Sequence, residues 1–381
     1  MNLSPQQTQA YDAVGAWLKD PGKQVFYLAG YAGTGKTTIA KGLAAQLDGE
    51  SAFMAFTGKA ASVLTRKGCP ASTIHSSIYK LQRPDEVRLR EIKEELKKGK
   101  NVEALKKEFA DKSRPKFVLD REGSFVNDLD LIIVDEVSMV DEKLGLDLLS
   151  FGKKILVLGD PGQLPPVGGE GYFTKEKPDF LLTEIHRQAA GSPIITMATQ
   201  VRQGQRLAYG KRGDSEVIRR FKADYMAPWD QIIVGRNTTR QEVNVKLRYG
   251  SPSCPQQGEK IICLRNNSEI GLLNGTQWTV AKVSDQGRFL DLEIVDIDRQ
   301  DMEPLSLSAH PFDANVRDMM PYERRAFNEF DYGYGITCHK SQGSQWNNVL
   351  VINEGYCFRE DAAKWLYTAI TRAAEKVTIA M

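Results

Sequence analysis

Long apolar runs are missing from this chain of 381 residues. No stretch approaches the ~20 apolar residues that a bilayer-crossing helix needs. The opening residues, Met1-Asn2-Leu3-Ser4-Pro5-Gln6-Gln7, are polar and lack the charged-then-apolar profile of a secretory leader. A cytoplasmic protein with no membrane partner is therefore expected. Cysteine is scarce: five residues, at 69, 254, 263, 338 and 357, with no C-x-x-C pair. That scatter argues against a disulfide framework and against a zinc site. The four histidines, at 75, 186, 310 and 339, form no metal-ligand spacing. An excess of charge of one sign is nearly absent, with 51 Lys and Arg against 49 Asp and Glu. A balance this even neither demands nor excludes a nucleic acid, because a protein can confine positive charge to one groove. Internal repeats and low-complexity tracts are not apparent.

Against this background one stretch stands out. Gly30-Tyr31-Ala32-Gly33-Thr34-Gly35-Lys36-Thr37 matches G-x-x-x-x-G-K-[ST] at every fixed position. The apolar run Val25–Ala29 precedes it and the helix-compatible run Thr38–Ala44 follows. Strand, loop and helix in that order make a phosphate-binding loop. Its glycines, Gly33 and Gly35 among them, let backbone N–H groups approach phosphate oxygens, and the helix start adds a positive dipole end. The nucleotide contacts are thus expected from Gly33, Thr34, Gly35, Lys36, Thr37 and Thr38. Lys36 should reach the β- and γ-phosphates of ATP, and the Thr37 hydroxyl should ligate Mg2+.

Two further strand ends carry chemistry. Ile132-Ile133-Val134-Asp135-Glu136 is an apolar run closing on two carboxylates. Asp135 would hold Mg2+ and Glu136 would polarise the attacking water as general base. Leu156–Gly159 runs into Asp160-Pro161-Gly162-Gln163-Leu164-Pro165-Pro166, where Gln163 is placed to reach the γ-phosphate.

Organisation follows from pattern. Residues 1–80 alternate short apolar runs with helical ones, which implies a parallel sheet covered by helices. Residues 82–128 break that rhythm and read as an insertion: a charged helical pair over Val87–Phe109, then a hairpin at 117–126. The α/β rhythm resumes at Leu131 and again from Thr183. Between 251 and 330 the runs are short and β-rich, as in a small antiparallel barrel, and Asn274-Gly275 is one of the turns that break them. The last fifty or so residues return to α/β.

Taken together, these motifs resemble the superfamily 1B DNA helicases of the RecD/Dda-like group, often phage-encoded, and the match runs nearly end to end. Leu3-Ser4-Pro5-Gln6-Gln7-Thr8-Gln9-Ala10 resembles the adenine-reading motif, which makes Gln7 the implied adenine contact. Phe56–Ala61 and Ser72–Ser76 resemble DNA-contact motifs. Leu182–Gln188, Thr337–Ser344 and Tyr367–Ala373 resemble motifs IV, V and VI. The resemblance implies two RecA-like lobes, residues 1–182 and residues 183–250 with 331–381. It also implies an SH3-like barrel inserted at 251–330 and a wedge on the first lobe, with the 117–126 hairpin as candidate and Phe117 or Phe125 as splitting element.

Arg187 and Arg372 are implied to reach across and stabilise charge on the γ-phosphoryl oxygens. Thr57, Lys59, Thr73, His75, Thr337, His339, Lys340 and Ser344 are the implied DNA contacts. His339 reads equally as a structural histidine bonded to a neighbouring loop. Phe56, Tyr79 and Trp346 are stacking candidates or core packing.

The implied activity is ATP-dependent 5′-to-3′ unwinding by a monomer. The implied partners are single-stranded DNA and single-strand/duplex junctions, with a single-stranded DNA-binding protein or replication and recombination proteins beside them. A bacterial or phage-infected cytoplasm is the implied setting. A DNA-stimulated translocase, an RNA motor and a helicase-like subunit of a nuclease complex stay open as alternatives.

Overall fold

The computed structural model describes residues 3–82, 86–97, 102–112, 116–166, 169, 171–185, 191–219, 229–248, 252–267, 269–298, 302–316, 318–319 and 321–381. Apolar runs without alternation become strands covered on both faces. In the first part of the chain these are β1 (Val25–Gly30), β2 (Ser51–Ala55), β3 (Ala71–Thr73), β4 (Tyr79–Gln82), β5 (Lys116–Leu119), β6 (Leu131–Asp135), β7 (Lys154–Gly159) and β8 (Phe180–Leu182). Six of them form one sheet in the order β3-β2-β6-β7-β1-β8, parallel throughout. Successive residues of a strand point to opposite faces. Ile133 accordingly joins Leu28, Ile39 and Leu156 in one core, while Ile132 and Val134 join Ile74 and Leu148 in the other.

Next come β9 (Gly210–Arg212), β10 (Ser215–Ile218) and β11 (Gln231–Val234). Then follow β12 (Lys260–Cys263), β13 (Gln277–Asp285), β14 (Leu290–Asp296), β15 (Leu305–Ala309) and β16 (Phe330–Tyr332), and finally β17 (Gly335–Thr337), β18 (Trp346–Ile352) and β19 (Ala373–Ala380). A second sheet, β17-β11-β18-β19-β10-β9, is parallel except at the β9 edge. It makes a second α/β lobe. A third sheet, β15-β14-β13-β12-β16, is antiparallel, and the Ala309–Asn328 bridge brings its two edges together. It takes in Phe330–Tyr332, so the chain rejoins the second lobe at Gly335. The inserted sheet is bonded to both lobes. Gln277 donates to Gln231 Oε1 at 2.7 Å and accepts from Trp346 Nε1 at 3.0 Å. Lys59 of the first lobe pairs with Asp298.

The hairpin expected at 117–126 does not form. β5 pairs with β4 instead, Tyr79 opposite Leu119 and Lys80 opposite Val118. Past Asp120 the chain turns away: Asp120 Oδ1 accepts the Gly123 N–H at 3.1 Å, and Ser124 Oγ accepts the Val126 N–H at 3.1 Å. Phe125–Asp128 is a 3-10 turn that buries Val126 completely. The charged helices Glu86–Lys97 and Val102–Lys112 occupy the interval between the two ribbon strands.

Candidate active site and nucleic-acid groove

In a doubly wound sheet the ligand crevice lies beyond the carboxyl ends of the strands. Here β1, β6 and β7 deliver three loops to one place. The phosphate loop leaves β1 and enters the helix Lys36–Gln46, with Gly33 at φ 80° and Gly35 at φ 86°. Both are left-handed, where a side chain is strained. A Cβ at Gly30 would lie 2.6 Å from Thr34 Oγ1. Thr34 is fully buried, and its hydroxyl donates to Tyr31 O at 2.8 Å, while Thr38 is exposed at the first helical turn. Lys36 Nζ folds back onto the loop and donates to Gly30 O at 2.5 Å and Tyr31 O at 3.4 Å.

Gln7 sits beneath the loop, nearly buried. Its amide donates to Thr34 O at 3.0 Å and its oxygen accepts the Ser4 N–H at 2.9 Å. This glutamine closes a capping box on the helix Pro5–Leu18 and braces Gly35. Gln6 was not anticipated. Its oxygen accepts from Thr183 N at 2.9 Å and Glu184 N at 2.8 Å, which pins the exit from β8. Adjacent glutamines give no signal as to which faces the loop.

Asp135 ends β6. One carboxylate oxygen accepts the Glu136 N–H at 2.8 Å, and the other lies 3.5 Å from Thr37 Oγ1. Burial, with Glu136 beside it, holds the Asp135 carboxyl above its ordinary range. A half-buried carboxylate next to a hydroxyl, with another acid adjacent, is a donor set that suits a hard divalent cation. Glu136 is left-handed at φ 53°, ψ 43°. Such a conformation costs a non-glycine residue about 1–3 kcal/mol and clusters at functional sites.

The loop after β7 carries Gln163, whose Oε1 is buried and has no hydrogen-bond partner among the described residues. Arg372, buried on the second lobe, places Nη1 3.8 Å from Glu136 Oε1. Its guanidinium is aimed by Thr368 O at 3.1 Å, Ser344 O at 3.3 Å and Thr371 Oγ1 at 3.2 Å. Arg187 lies outside the described residues.

A second recess lies between the lobes and the inserted sheet and encloses about 310 Å³. Seven expected DNA contacts line it: Thr57, Lys59, Thr73, His75, His339, Lys340 and Ser344. Thr337 is not in the lining; it precedes the helix Cys338–Ser341. Thr57 Oγ1 accepts the Ala60 N–H and Thr73 Oγ1 accepts the Ser76 N–H, each at 3.1 Å, so both hydroxyls cap helices. Lys59 is almost wholly buried, and its ammonium is taken by Asp298. As a phosphate contact it is already occupied within the chain. Burial holds His75 and His339 below the ordinary histidine range, and it lowers Lys340 too, with Arg240 adding to the effect. His339 also bonds the Pro165 backbone and packs against Phe358, centroids 5.8 Å apart.

A run of rings leads away from the recess. His75 meets Phe56 edge-on at 6.1 Å, Tyr79 at 5.5 Å and Phe117 at 6.4 Å. Phe117 is 61% exposed on β5. Trp346 is engaged with Gln277 and stands apart from this run. Sequence reading missed the lining residues Asn266, Asn274 and Gly275 from the inserted sheet, together with Met139 and Gln342. Asn274-Gly275 was legible only as a turn.

One loop joins the two sites. Leu164 N donates to Thr368 Oγ1 at 2.8 Å, and Leu164 O accepts from Gln342 Nε2 at 2.8 Å. Among the described residues no helix is long and apolar enough to cross a membrane.

A family model described as an AAA domain matches residues 2–222, more than half of the chain. The chain belongs to that family. A second model, the UvrD-like helicase C-terminal domain, matches residues 332–380. The ATP-dependent RecD2 DNA helicase of Deinococcus radiodurans is 26% identical over 98% of this chain and 48% of its own length. The RecBCD enzyme subunit RecD of Mycobacterium tuberculosis is 25% identical over 93% of this chain and 66% of its own length. The chain thus spans about half the length of the RecD2 relative.

A Pif1 helicase from a study of unwinding at forked duplex DNA aligns at TM-score 0.59 and 18% identity, covering 99% of this chain and 92% of that one. Pif1 from Candida albicans aligns at 0.55 and 18%, covering 100% and 94%. The Pif1 likenesses show the fold; taken with the two family models and the RecD relatives, they support a superfamily 1B helicase of RecD/Pif1 type. The helicase fold accounts for the two parallel α/β sheets, with the candidate nucleotide site on the first and Arg372 on the second.

Proposed function

We propose that the chain is an ATP-dependent DNA helicase that moves 5′ to 3′ along single-stranded DNA and separates duplex strands. The observation that carries this reading is the loop Asp160–Leu164: Leu164 O accepts from Gln342 of the recess lining, and Leu164 N donates to Thr368, whose carbonyl holds Arg372 beside Glu136. In this reading residues 1–182 are one motor lobe, 183–250 with 333–381 the other, and 251–332 the inserted domain, the sheet having taken in Phe330–Tyr332.

ATP binds with its phosphates on Gly33, Thr34, Gly35, Lys36, Thr37 and Thr38, and Gln7 lies at the base of the loop. Mg2+, held by Thr37 and Asp135, would neutralise charge on the phosphate oxygens. Glu136 takes the proton of the attacking water. Gln163, with its free buried acceptor, orients that water or the γ-phosphate. Arg372 and Arg187 offset the charge that develops on the γ-phosphoryl group, a contribution worth about 10³–10⁵ in rate. Lobe closure around the γ-phosphate reaches the recess through Leu164, Gln342 and Thr368.

There Thr57, Thr73, His75, His339, Lys340 and Ser344 meet the strand through hydroxyl, ring and cationic groups, and Thr337, just outside the lining at the start of the helix Cys338–Ser341, adds a hydroxyl beside them. Such contacts carry no sequence information, as suits a motor. Bases stack along Phe56, His75 and Tyr79, at about 1–3 kcal/mol each. The β4–β5 ribbon presents Phe117 at the end of that run as the splitting element. Polarity rests on kinship with the RecD group. Single-stranded DNA and junctions are the partners this requires.

The test is ATP hydrolysis by the chain with and without single-stranded DNA or RNA, with Lys36→Ala as the blank, followed by duplexes tailed at either end. Stimulation by DNA and unwinding from a 5′ tail support the reading. Hydrolysis indifferent to both polymers would overturn it.

A further inference from the structure

The peptide unit joining Tyr31 to Ala32 is gripped by the second lobe. Ala32 N–H donates to the Tyr367 hydroxyl at 2.9 Å, and that hydroxyl donates to Asp160 Oδ2 at 2.7 Å. Arg202, at the end of the helix Pro193–Arg202, lies face-on over the Tyr31 ring at 3.6 Å. Tyr367 and Asp160 are 2% and 5% exposed, so neither group has ready access to water as a substitute. Asp160 Oδ1 is taken by the Gly162 N–H at 2.9 Å, and a Cβ at Gly162 would lie 3.0 Å from the Tyr367 ring. The hydroxyl therefore holds the phosphate loop with one hand and the Gln163 loop with the other.

The position of this contact along the loop gives it meaning. Lys36 Nζ, the group that reaches the β- and γ-phosphates, rests on Gly30 O and Tyr31 O. Tyr31 O and Ala32 N belong to the same peptide unit. The N–H that Tyr367 holds is thus at the terminal-phosphate end of the loop, away from the Thr37 end. ADP lacks the group that would compete for it.

We propose that the Tyr367 hydroxyl is a positioning group that reads the terminal phosphate: it keeps the Ala32 N–H while that end of the loop is free and yields it when ATP binds. Released from the loop, Tyr367 still donates to Asp160. The change is then passed to Gly162 and Gln163, and along the same helix, Ala362–Ile370, towards Arg372. The inference rests on the ATPase reading above and adds to it a route by which ATP and ADP are told apart.

Tyr367→Phe tests it, because it keeps the ring and removes only the oxygen, so packing is preserved. Affinities for a non-hydrolysable ATP analogue and for ADP are measured by fluorescence titration, beside a melting curve. The analogue should bind roughly two- to tenfold more tightly to the variant, the equivalent of one neutral hydrogen bond that no longer has to be displaced. ADP affinity should move less than twofold. DNA-stimulated kcat should fall while KM for ATP does not rise. Tyr334→Phe, which removes a hydroxyl that accepts the Lys260 N–H away from the phosphate loop, should leave the ATP/ADP ratio at its wild-type value.

Equal shifts for both nucleotides, or no shift in either, overturn the proposal. A wild-type chain whose hydrolysis ignores DNA would overturn the helicase reading instead, and the nucleotide ratio would still decide the role of Tyr367.

Discussion

Gln342→Leu isolates the coupling between the two sites. Gln342 is 2% exposed, and its amide nitrogen donates to Leu164 O at 2.8 Å, a bond buried between the two elements. Leucine fills a similar volume and leaves that carbonyl unpaired. An orphaned buried acceptor costs about 1–3 kcal/mol. In the reading above, that cost falls on the closed state, where Leu164 must hold register with the helix Ala362–Ile370. At about 1.4 kcal/mol per tenfold, DNA stimulation of kcat/KM should drop roughly 5- to 150-fold.

The assay is steady-state hydrolysis over a titration of single-stranded DNA, with nucleotide and DNA affinities measured separately. Thr368→Val orphans the Leu164 N–H on the other side of the same residue. The double variant should lose less than the product of the single losses, because both act through one peptide. Stimulation that survives Gln342→Leu, or losses that multiply cleanly, would refute the idea that Leu164 joins the sites.

Other outcomes can be checked with the same material. Glu136→Gln should retain ATP and DNA binding and lose turnover by at least about 10²-fold, the scale of general-base catalysis; normal single-turnover hydrolysis would remove Glu136 as the base. Arg372→Ala should lower kcat far more than it weakens nucleotide binding, since the guanidinium is held for the transition state, and equal losses would mark a ground-state contact. Glu354, buried at 3% exposure, accepts from Gly235 N, Arg236 N, Arg236 Nε and Thr239 Oγ1. Glu354→Ala should destabilise the fold by about 1–3 kcal/mol in denaturant melts, because the donors of Gly235, Arg236 and Thr239 lose their acceptor while the half-exposed Arg236 guanidinium turns to water.

Acid should also act through His75, which burial holds below its ordinary value of 6.5. Between its folded pKa and 6.5 the unfolded chain binds the extra proton, so stability falls as pH drops through 6.5 and then levels off. His75→Gln should flatten that part of a urea-midpoint profile against pH.

What could be read in advance was whatever a short window of residues decides. β6, β7 and β11 are apolar on both faces and declare themselves by composition, and the helix Gly58–Arg66 begins where Thr57 can cap it. The phosphate loop is legible because its spacing is dictated by ligand geometry. The pairing of the ribbon is not legible because its strands are separated by the helices Glu86–Lys97 and Val102–Lys112, and no local pattern links Tyr79 to Leu119. Lys59 has the look of a free cation until Asp298, far along the chain, is folded against it. Tyr367 carries no mark of its contact with Ala32, since a buried tyrosine on an apolar helix is ordinary core until its hydroxyl finds a partner.

The inserted sheet is wedged against the first lobe, with Leu273 in the space that a side chain at position 58 would need and Asp298 on Lys59. On the helicase reading these two contacts flank the recess in which the strand would lie, on the side where the inserted sheet meets the first lobe. How often they part then enters the rate at which a strand is admitted or released, and comparing loading on closed circles with loading on linear strands would measure it.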